Sequence, residues 1–338
     1  VVAPLVFWLA MRKALEHGVL IRRASALEEL SEVTLVAFDK TGTLTERNLE
    51  VLRVEVCQTA SLEEALSLVL ALEEGSRHPL AEALAQRAAS SGAAAASVVS
   101  KKAEPGRGVS AKDREGRAVS IGAPSALGIE GALIPVDAVF GAPRVALLRD
   151  GEPLAFFWIG EAVRSEAKAA IDALRALRID AVMVTGDSAE GAARIADALS
   201  LRVAASLTPE GKVREIEARG ARTAMVGDGL NDAPALAAIG PSFAMNGGTD
   251  LSRGVAQIAL ERPDLRLVPW TVGLARYAVR LARSSLVMAT AYNLVFLALA
   301  ATGHLRPVFA GLAMAISSLL SIASSLRLQS FPGPDEAS

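Results

Sequence analysis

Cysteine is almost missing from this chain: Cys57 is the single one among 338 residues. A disulfide framework, or any multi-cysteine metal site built from these residues alone, is thereby excluded. Net charge is nearly missing too, at −2, which argues against a nucleic-acid binder held by a basic field. Intrinsic disorder is excluded by a hydrophobic fraction of 51%. The length carries a prior of about two domains. A mean hydropathy of +0.36 alongside 21% charged residues points to a soluble body joined to membrane segments.

Charge is wholly absent from two stretches, 284–302 and 307–326. Each matches the roughly 20 helical residues that cross about 30 Å of hydrocarbon. Gly303-His304-Leu305-Arg306 joins them, so the pair is predicted to form a transmembrane hairpin. A shorter apolar run, 1–11, stops at Arg12-Lys13. It lacks the basic start and small-residue cleavage site of a signal peptide and is read as the end of a transmembrane helix that begins upstream. Arg12, Lys13, Arg22 and Arg23 follow that run, Arg276, Arg280 and Arg283 precede the hairpin, Arg327 follows it, and the hairpin loop has only Arg306. By the positive-inside rule the intervening body is cytoplasmic, in a multi-pass protein of a plasma or inner membrane. The tail 330–338, with two prolines and two acids, reads as disordered.

Between the membrane segments, apolar runs alternate with helical patterns. The runs 33–38 (VTLVAF), 181–185 (AVMVT) and 223–226 (TAMV) read as buried strands, followed by Asp39, Asp187 and Asp228. Helical patterns such as 165–177 and 188–199 separate them, which predicts a parallel α/β sheet. Ligands bind outside the carboxyl ends of strands in such sheets. One Asp after a strand is ordinary turn chemistry; three converging on one sheet edge point to a magnesium-phosphate site. Residues 49–154 interrupt the sheet with two helices, around 62–74 and 80–89, and alternating stretches, so they are predicted to form an inserted α+β domain with its own small core.

The heptad Asp39-Lys40-Thr41-Gly42-Thr43-Leu44-Thr45 resembles the phosphorylation motif of P-type ATPases, ion pumps that pass through an aspartyl-phosphate. Thr185-Gly186-Asp187, Thr208-Pro209-Glu210-Gly211-Lys212 and Gly227-Asp228-Gly229-Leu230-Asn231-Asp232-Ala233-Pro234 follow in that family's order, so the resemblance covers nearly the whole chain. It implies a Rossmann-like phosphorylation domain of the haloacid dehalogenase superfamily, using ATP and Mg²⁺. The implied catalytic residues are Asp39, Lys40, Thr41, Thr185, Gly186, Asp187 and Lys212, and the implied Mg²⁺ set is Asp39, Thr41, Asp228 and Asp232. The chemistry suits these roles. A carboxylate can attack the γ-phosphorus of ATP, hard oxygen donors suit Mg²⁺, and an ammonium can neutralise a transferring phosphoryl group. Gly42 lets the backbone close on a phosphate to which Thr41 and Thr43 can donate. Phosphatases of the superfamily carry a second Asp two residues after the nucleophile. Thr41 stands there and cannot serve as a base near neutral pH, so the phosphoenzyme is expected to persist.

Ser76-Arg77-His78-Pro79-Leu80 resembles the histidine–proline signature of heavy-metal-transporting members. A lone histidine opening a helix is usually structural, and a lone GxG is a weak signal. Here Glu73 lies upstream and Gly106-Arg107-Gly108 downstream, and the resemblance implies a nucleotide-binding set of Glu73, His78, Pro79, Gly106 and Gly108. For the transported ion, Tyr292 and Asn293 lie on the first span, while Met314, Ser317 and Ser318 share a face of the second. A thioether suits Cu(I), although spacing alone equally suits small-residue helix packing with methionine as filler.

The YN and MxxSS patterns resemble those of copper-transporting members, and neither span has the carboxylate expected of zinc or cadmium pumps. ATP-driven Cu(I) export follows as the expectation, by a pump whose actuator domain and N-terminal membrane helices lie outside this sequence. The alternatives are a zinc- or cadmium-type pump and a membrane-anchored phosphohydrolase. The expected partners are ATP, a transition-metal ion and the lipid bilayer, with no nucleic acid. The expected organisation is a helix end and extension over 1–27, a phosphorylation domain over 28–48 and 155–270, the insertion over 49–154, the hairpin over 271–329 and the tail over 330–338.

Overall fold

The computed structural model describes residues 2–57, 60–131, 134–137, 140–141, 143–220, 222–228, 232–246, 254–302 and 307–334. Helix α1 (Val2–Glu16), strand β1 (Val19–Ile21) and helix α2 (Ala24–Ser31) lead into β2 (Leu35–Asp39). The chain then makes β3 (Thr45–Val56), α3 (Leu62–Glu73), α4 (Pro79–Ser90), β4 (Val99–Glu104), β5 (Gly108–Lys112), β6 (Ala118–Gly122), β7 (Val145–Arg149) and β8 (Glu152–Val163). It continues through α5 (Ala167–Ala176), β9 (Asp180–Val184), α6 (Ala189–Leu199), β10 (Arg202–Ala204), α7 (Pro209–Ala218), β11 (Thr223–Gly227), α8 (Ala233–Ala238), β12 (Ser242–Ala244) and β13 (Ile258–Leu260). Two long helices close it, α9 (Leu267–Ala301) and α10 (Pro307–Leu326).

One unit comprises residues 1–44 and 164–338. Its seven strands run in the order β1-β13-β12-β11-β2-β9-β10, and every pair is parallel except β1 with β13. The central strands are buried on both faces and therefore continuously apolar, which is why they were readable as short runs. Their helices start on side-chain caps: Ser188 accepts from Gly191 N–H ahead of α6, and Thr208 from Gly211 N–H ahead of α7, where Pro209 holds the first helical position. The register aligns the strand ends, with Asp39 opposite Val184 and Phe38 opposite Val226. The first residues beyond β9 and β11 therefore emerge beside Asp39.

The second unit, 45–163, is wider than the expected 49–154 because β3 and β8 pair all the way from Thr45 opposite Val163 to Val56 opposite Ala155. Its antiparallel sheet runs β3-β8-β7-β6-β5-β4. Leu66, Val69, Leu72 and Leu84 of α3 and α4 pack with Ile121, Leu147, Phe157 and Ile159 of the sheet, so the insertion has its own core. A smaller cluster around Phe156 and Trp158 joins Ile129, Ala146 and Leu148.

Two expectations for the C-terminal region need correction. The helix leading into the first apolar stretch starts at Leu267, and Leu267–Ala278 is largely buried within the first unit. Only from Leu286 onward do its large apolar side chains stand exposed. Arg276 fixes this buried half by donating to the carbonyls of Leu177 (2.7 Å), Val33 (2.9 Å) and Ser31 (3.4 Å). The tail, read as disordered, is docked as far as Pro334: Phe331 packs against Tyr277 (5.4 Å between rings) and Trp270 (6.2 Å), and Trp270 Nε1 donates to Pro332 O at 2.9 Å. A single aromatic in a polar, proline-rich tail gave no periodic signal of this anchor.

Among the described residues, α9 is the helix long and apolar enough to cross a membrane. Stretch 307–326 is helical as expected, and the connecting Gly303–Arg306 stretch lies outside the described residues. Ser285 and Ser324 place their hydroxyls 3.2 Å apart between these two helices.

Replacing Arg276 with Met should leave those carbonyls without their charged donor. The expected cost is about 2 kcal/mol of stability, read as a lowered denaturant midpoint in detergent, with Arg276→Lys recovering part of it. An unchanged midpoint would show that water replaces the guanidinium without loss.

Candidate active site

Asp39 ends β2 with 6% of its surface exposed, and its neighbours come from the far half of the chain. Lys212, in the first turn of α7, donates from Nζ to Asp39 Oδ1 at 2.6 Å and to Asp232 Oδ1 at 2.6 Å. Asp228, just past β11, and Asp232, ahead of α8, complete a buried group in which an oxygen of each of the three carboxylates lies within 4.8 Å of the others. A Cβ at Gly227 would come within 3.2 Å of Asp232 Oδ2, so the missing side chain there leaves room for the Asp232 carboxylate. Gly229, Leu230 and Asn231 of the same motif lie outside the described residues.

Among the described residues three carboxylates gather around one ammonium, an excess of negative charge in a buried space. Burial and the charge of Asp232 push the Asp39 carboxyl up to about 7; Lys212 opposes the rise and Asp228 adds to it. The reciprocal effect holds Lys212 above its ordinary value, because attraction to Asp39 and Asp232 outweighs its burial. Such a pocket of hard oxygen donors with surplus negative charge fits a Mg²⁺ ion. Thr41 is exposed and offers no carboxylate, so its place in the expected Mg²⁺ set rests on the resemblance.

The loop after Asp39 is tight. Gly42 has φ +72°, a left-handed conformation that glycine adopts without strain. Thr43 is fully buried, and its hydroxyl has no hydrogen-bond partner among the described residues. An orphaned buried hydroxyl four residues past Asp39 fits a phosphoryl oxygen as its missing partner. Lys40 pairs with Asp187 Oδ2 at 2.6 Å. Asp187 N–H in turn donates to Thr185 Oγ1 at 3.1 Å, and Thr185 is buried directly after β9. Thr185, Gly186 and Asp187 therefore flank Asp39, with Lys40 tying the two loops together.

Sequence reasoning missed Arg164. Its buried guanidinium donates from Nε to Thr43 O (2.9 Å) and from Nη2 to Gly42 O (3.3 Å), bracing the loop from 121 residues away. Nothing local marks that role; its one signal is position, as the first residue after the insertion.

In the second unit, His78 caps α4: its Nδ1 accepts from Leu80 N–H at 3.3 Å, and Pro79 holds the first helical position. That bond commits Nδ1 as an acceptor and leaves Nε2 as the protonated nitrogen. Glu73 closes α3, and burial raises its carboxyl above the usual range against the opposing effects of the Ser76 hydroxyl, Lys101 and His78. Gly106 has φ +77° with open space around it. Gly108 differs: a Cβ there would collide with the Ile121 carbonyl, so its bareness is demanded by strand β6 rather than by a ligand.

Of the candidate ion ligands, Tyr292 stacks on Phe296 (4.4 Å between centroids), Asn293 is exposed and Ser317 is partly buried. The side chains of Met314 and Ser318 lie outside the described residues.

The raised Asp39 carboxyl sets a pH dependence. The folded chain keeps a proton up to about pH 7 that an unfolded aspartate releases near its ordinary value of 3.8. The associated stability is fully present below the unfolded value and is lost as pH rises through 7. Without divalent cations, stability should fall by on the order of 2 kcal/mol between about pH 5 and 8. Asp39→Asn should flatten that fall, and added Mg²⁺ should reverse it at the alkaline end. Thermal melts of both proteins against pH check this; the same slope in both would refute the assignment.

Residues 33–240 match the haloacid dehalogenase-like hydrolase family. The copper-exporting P-type ATPase of Mycobacterium tuberculosis is 36% identical over 97% of this chain, and copper-transporting ATPase 2 of Rhizobium meliloti is 36% identical over 94%. The chain spans 44% and 40% of those relatives, less than half of either. Among solved structures, a zinc-transporting PIB-type ATPase in its E2·Pi state superposes with a TM-score of 0.88 at 33% identity, over 96% of this chain and 55% of that one. The catalytic domain of the CPx-ATPase CopB-B gives a TM-score of 0.57 at 27% identity, over 79% of this chain and 98% of that one. The chain belongs to the haloacid dehalogenase-like hydrolase family and is similar, over nearly all its length, to heavy-metal P-type ATPases.

Proposed function

We propose that this chain is the catalytic and C-terminal membrane portion of an ATP-driven Cu(I) exporter that works through an aspartyl-phosphate at Asp39. The observation that carries the reading is the buried constellation of Asp39 with Lys212, Asp228 and Asp232 at the end of a parallel strand. In the proposed reaction an Asp39 oxygen attacks the γ-phosphorus of ATP, the bond to the bridging oxygen of ADP breaks, and the phosphoryl group stays on the carboxylate. Mg²⁺, held by Asp39, Asp228 and Asp232, would neutralise charge on the transferring phosphoryl. Lys212 already lies 2.6 Å from the nucleophilic carboxylate and offers a second positive charge there. The Thr43 hydroxyl is available to donate to a phosphoryl oxygen, while Arg164 keeps the backbone beneath it in place.

Thr41 supports a pump over a phosphohydrolase, because no carboxylic acid stands two residues after the nucleophile to activate water. In the second unit, Glu73, His78, Pro79, Gly106 and Gly108 are proposed to bind the adenosine part of ATP, with His78 Nε2–H as a donor. The protein is proposed to span the membrane several times, with α9 and α10 as two of the spans and both units in the cytoplasm. Tyr292, Asn293, Met314, Ser317 and Ser318 are the proposed ion-facing residues. Zn(II) transport is the second reading, favoured by the likeness to the zinc-transporting structures. The lack of any acidic residue in 284–302 and 307–326 weighs against it.

Incubation with radiolabelled ATP and Mg²⁺ in the complete pump should give an acid-stable, hydroxylamine-labile phosphoenzyme, and Asp39→Asn should abolish it. Labelling that survives the substitution would refute the nucleophile. The ion is tested by metal-stimulated phosphorylation of the same pump: Cu(I) should stimulate and Zn(II) should not, and Met314→Ala should weaken the Cu(I) response about tenfold, the loss of one soft ligand. Stimulation by Zn(II) alone would favour the second reading.

A further inference from the structure

Helix α3 ends badly by the usual rules. Its last residue is Glu73, its C-cap is Glu74, and no basic residue occupies its last turn, so two carboxylates sit at the negative end of the helix dipole. The C-cap has φ −53° and ψ 125°, outside the left-handed conformation that commonly closes a helix. One backbone bond, Ser76 N–H to Glu73 O at 2.9 Å, reaches this end. The remaining closure comes from another element. Lys101, on β4, donates from Nζ to Glu74 O at 2.6 Å and to Ala71 O at 3.2 Å.

The strand is bent to make this reach. Ser100 has φ +55°, and the pairing of β4 with β5 slips between Val99 and Lys102, as at a β-bulge. Bulges re-aim side chains. Two adjacent lysines accordingly serve different partners, Lys101 the end of α3 and Lys102 the carboxylate of Glu104 at 2.8 Å. Two residues past Glu104 the same hairpin reaches the Gly106–Gly108 turn, and Gly108 is wedged against the backbone of Ile121 and Gly122. Lys101 is thus a strut between two elements proposed to hold the nucleotide, the Glu73–His78 turn on one side and the glycine turn on the other.

We propose that Lys101 is a positioning residue of the nucleotide site: its ammonium closes α3 and fixes the Glu73–His78 turn relative to the Gly106–Gly108 turn. The proposal rests on the reading that these residues bind ATP. Lys101 touches the backbone of the turn and acts through Glu73 and His78. It also bears on the ionisation of Glu73, on which burial, the Ser76 hydroxyl, Lys101 and His78 all act. Burial raises that carboxyl and the other three lower it, so removing the ammonium makes Glu73 easier to protonate.

The test is calorimetric titration of the 338-residue chain in detergent with ATP, across a pH series, for the parent, Lys101→Met, Lys101→Arg and His78→Gln. Lys101→Met should weaken ATP binding about five- to tenfold, a loss in the range of charged hydrogen bonds at a helix end, and Lys101→Arg should stay within about twofold of the parent. In Lys101→Met the acid limb of ATP binding should also move to higher pH. Parent-like affinity in Lys101→Met, or an equal loss at every pH that Arg does not repair, would overturn the positioning role. If His78→Gln binds ATP like the parent, the reading of the nucleotide site fails first, and that result is distinct from the Lys101 arms. Circular dichroism checks each variant's fold; if Lys101→Met does not fold, Lys101→Gln takes its place with the same expected and refuting outcomes.

Discussion

The ammonium of Lys212, set between Asp39 and Asp232, is the contact on which the rest of the site depends. It lies 2.6 Å from both carboxylates, bonded to two of the three acids in the group. Mutual repulsion among buried carboxylates grows steeply as the local dielectric falls, so without Lys212 the three could not share this space in ionised form. With it, one partial charge balance is reached, and Asp39 remains the carboxylate whose ionisation is opposed. A pocket left in surplus negative charge attracts a divalent cation and, through that cation, a polyanionic phosphate.

Holding four side chains in that arrangement falls to the sheet. Asp39, Thr185 and Asp228 each follow a buried strand, and the parallel register of β2 with β9 and β11 puts those ends side by side. Lys212 and Asp232 come from the first turn of α7 and the residue ahead of α8, so short helices whose starts are fixed by Thr208 and Pro234 aim them inward. Lys40 adds a lateral tie through Asp187. Lys212 thus bears on the charge of the carboxylates, and Lys40 on the geometry of the loop.

How much of this was legible follows from the range of each contact. Strands β2, β9 and β11 were visible as apolar runs because a strand buried on both faces leaves a local signature. The carboxylates were visible because they end those runs and lie in motifs whose order resembles that of P-type ATPases. Arg164, Arg276, Lys101 and Phe331 were not. Each acts on backbone or rings far away in sequence: Arg164 on Gly42 and Thr43, Arg276 on Val33 and Leu177, Lys101 on Ala71 and Glu74, Phe331 on Tyr277. A cation that donates to main-chain carbonyls needs no complementary residue type, so no charge pattern betrays it. Gly108 stands bare for a long-range reason that its own motif does not display. Strand β6 requires it, and its use by a nucleotide is a separate proposal.

Arg164 also shows why the insertion point matters to the chemistry. The chain leaves the first unit at Leu44 and re-enters it at Arg164, and within that unit Arg164 N–H donates to Leu44 O at 3.0 Å. Within the second unit the flanking residues pair as well, Thr45 opposite Val163, and the Thr45 hydroxyl donates to Glu161 at 2.7 Å. Each unit therefore holds its own side of the double crossing together. Asp39 lies only five residues before the outgoing crossing, and the guanidinium that braces its loop belongs to the first residue of the incoming one. Any change in the backbone at the crossing must pass through Arg164 or through Gly42–Leu44 before it is absorbed elsewhere. Because the loop is buried and its hydrogen bonds are fixed, it has few ways to absorb such a change other than by moving the carbonyls that Arg164 holds. The loop after Asp39 is thus held within the first unit by the Arg164 guanidinium, through the carbonyls of Thr43 and Gly42.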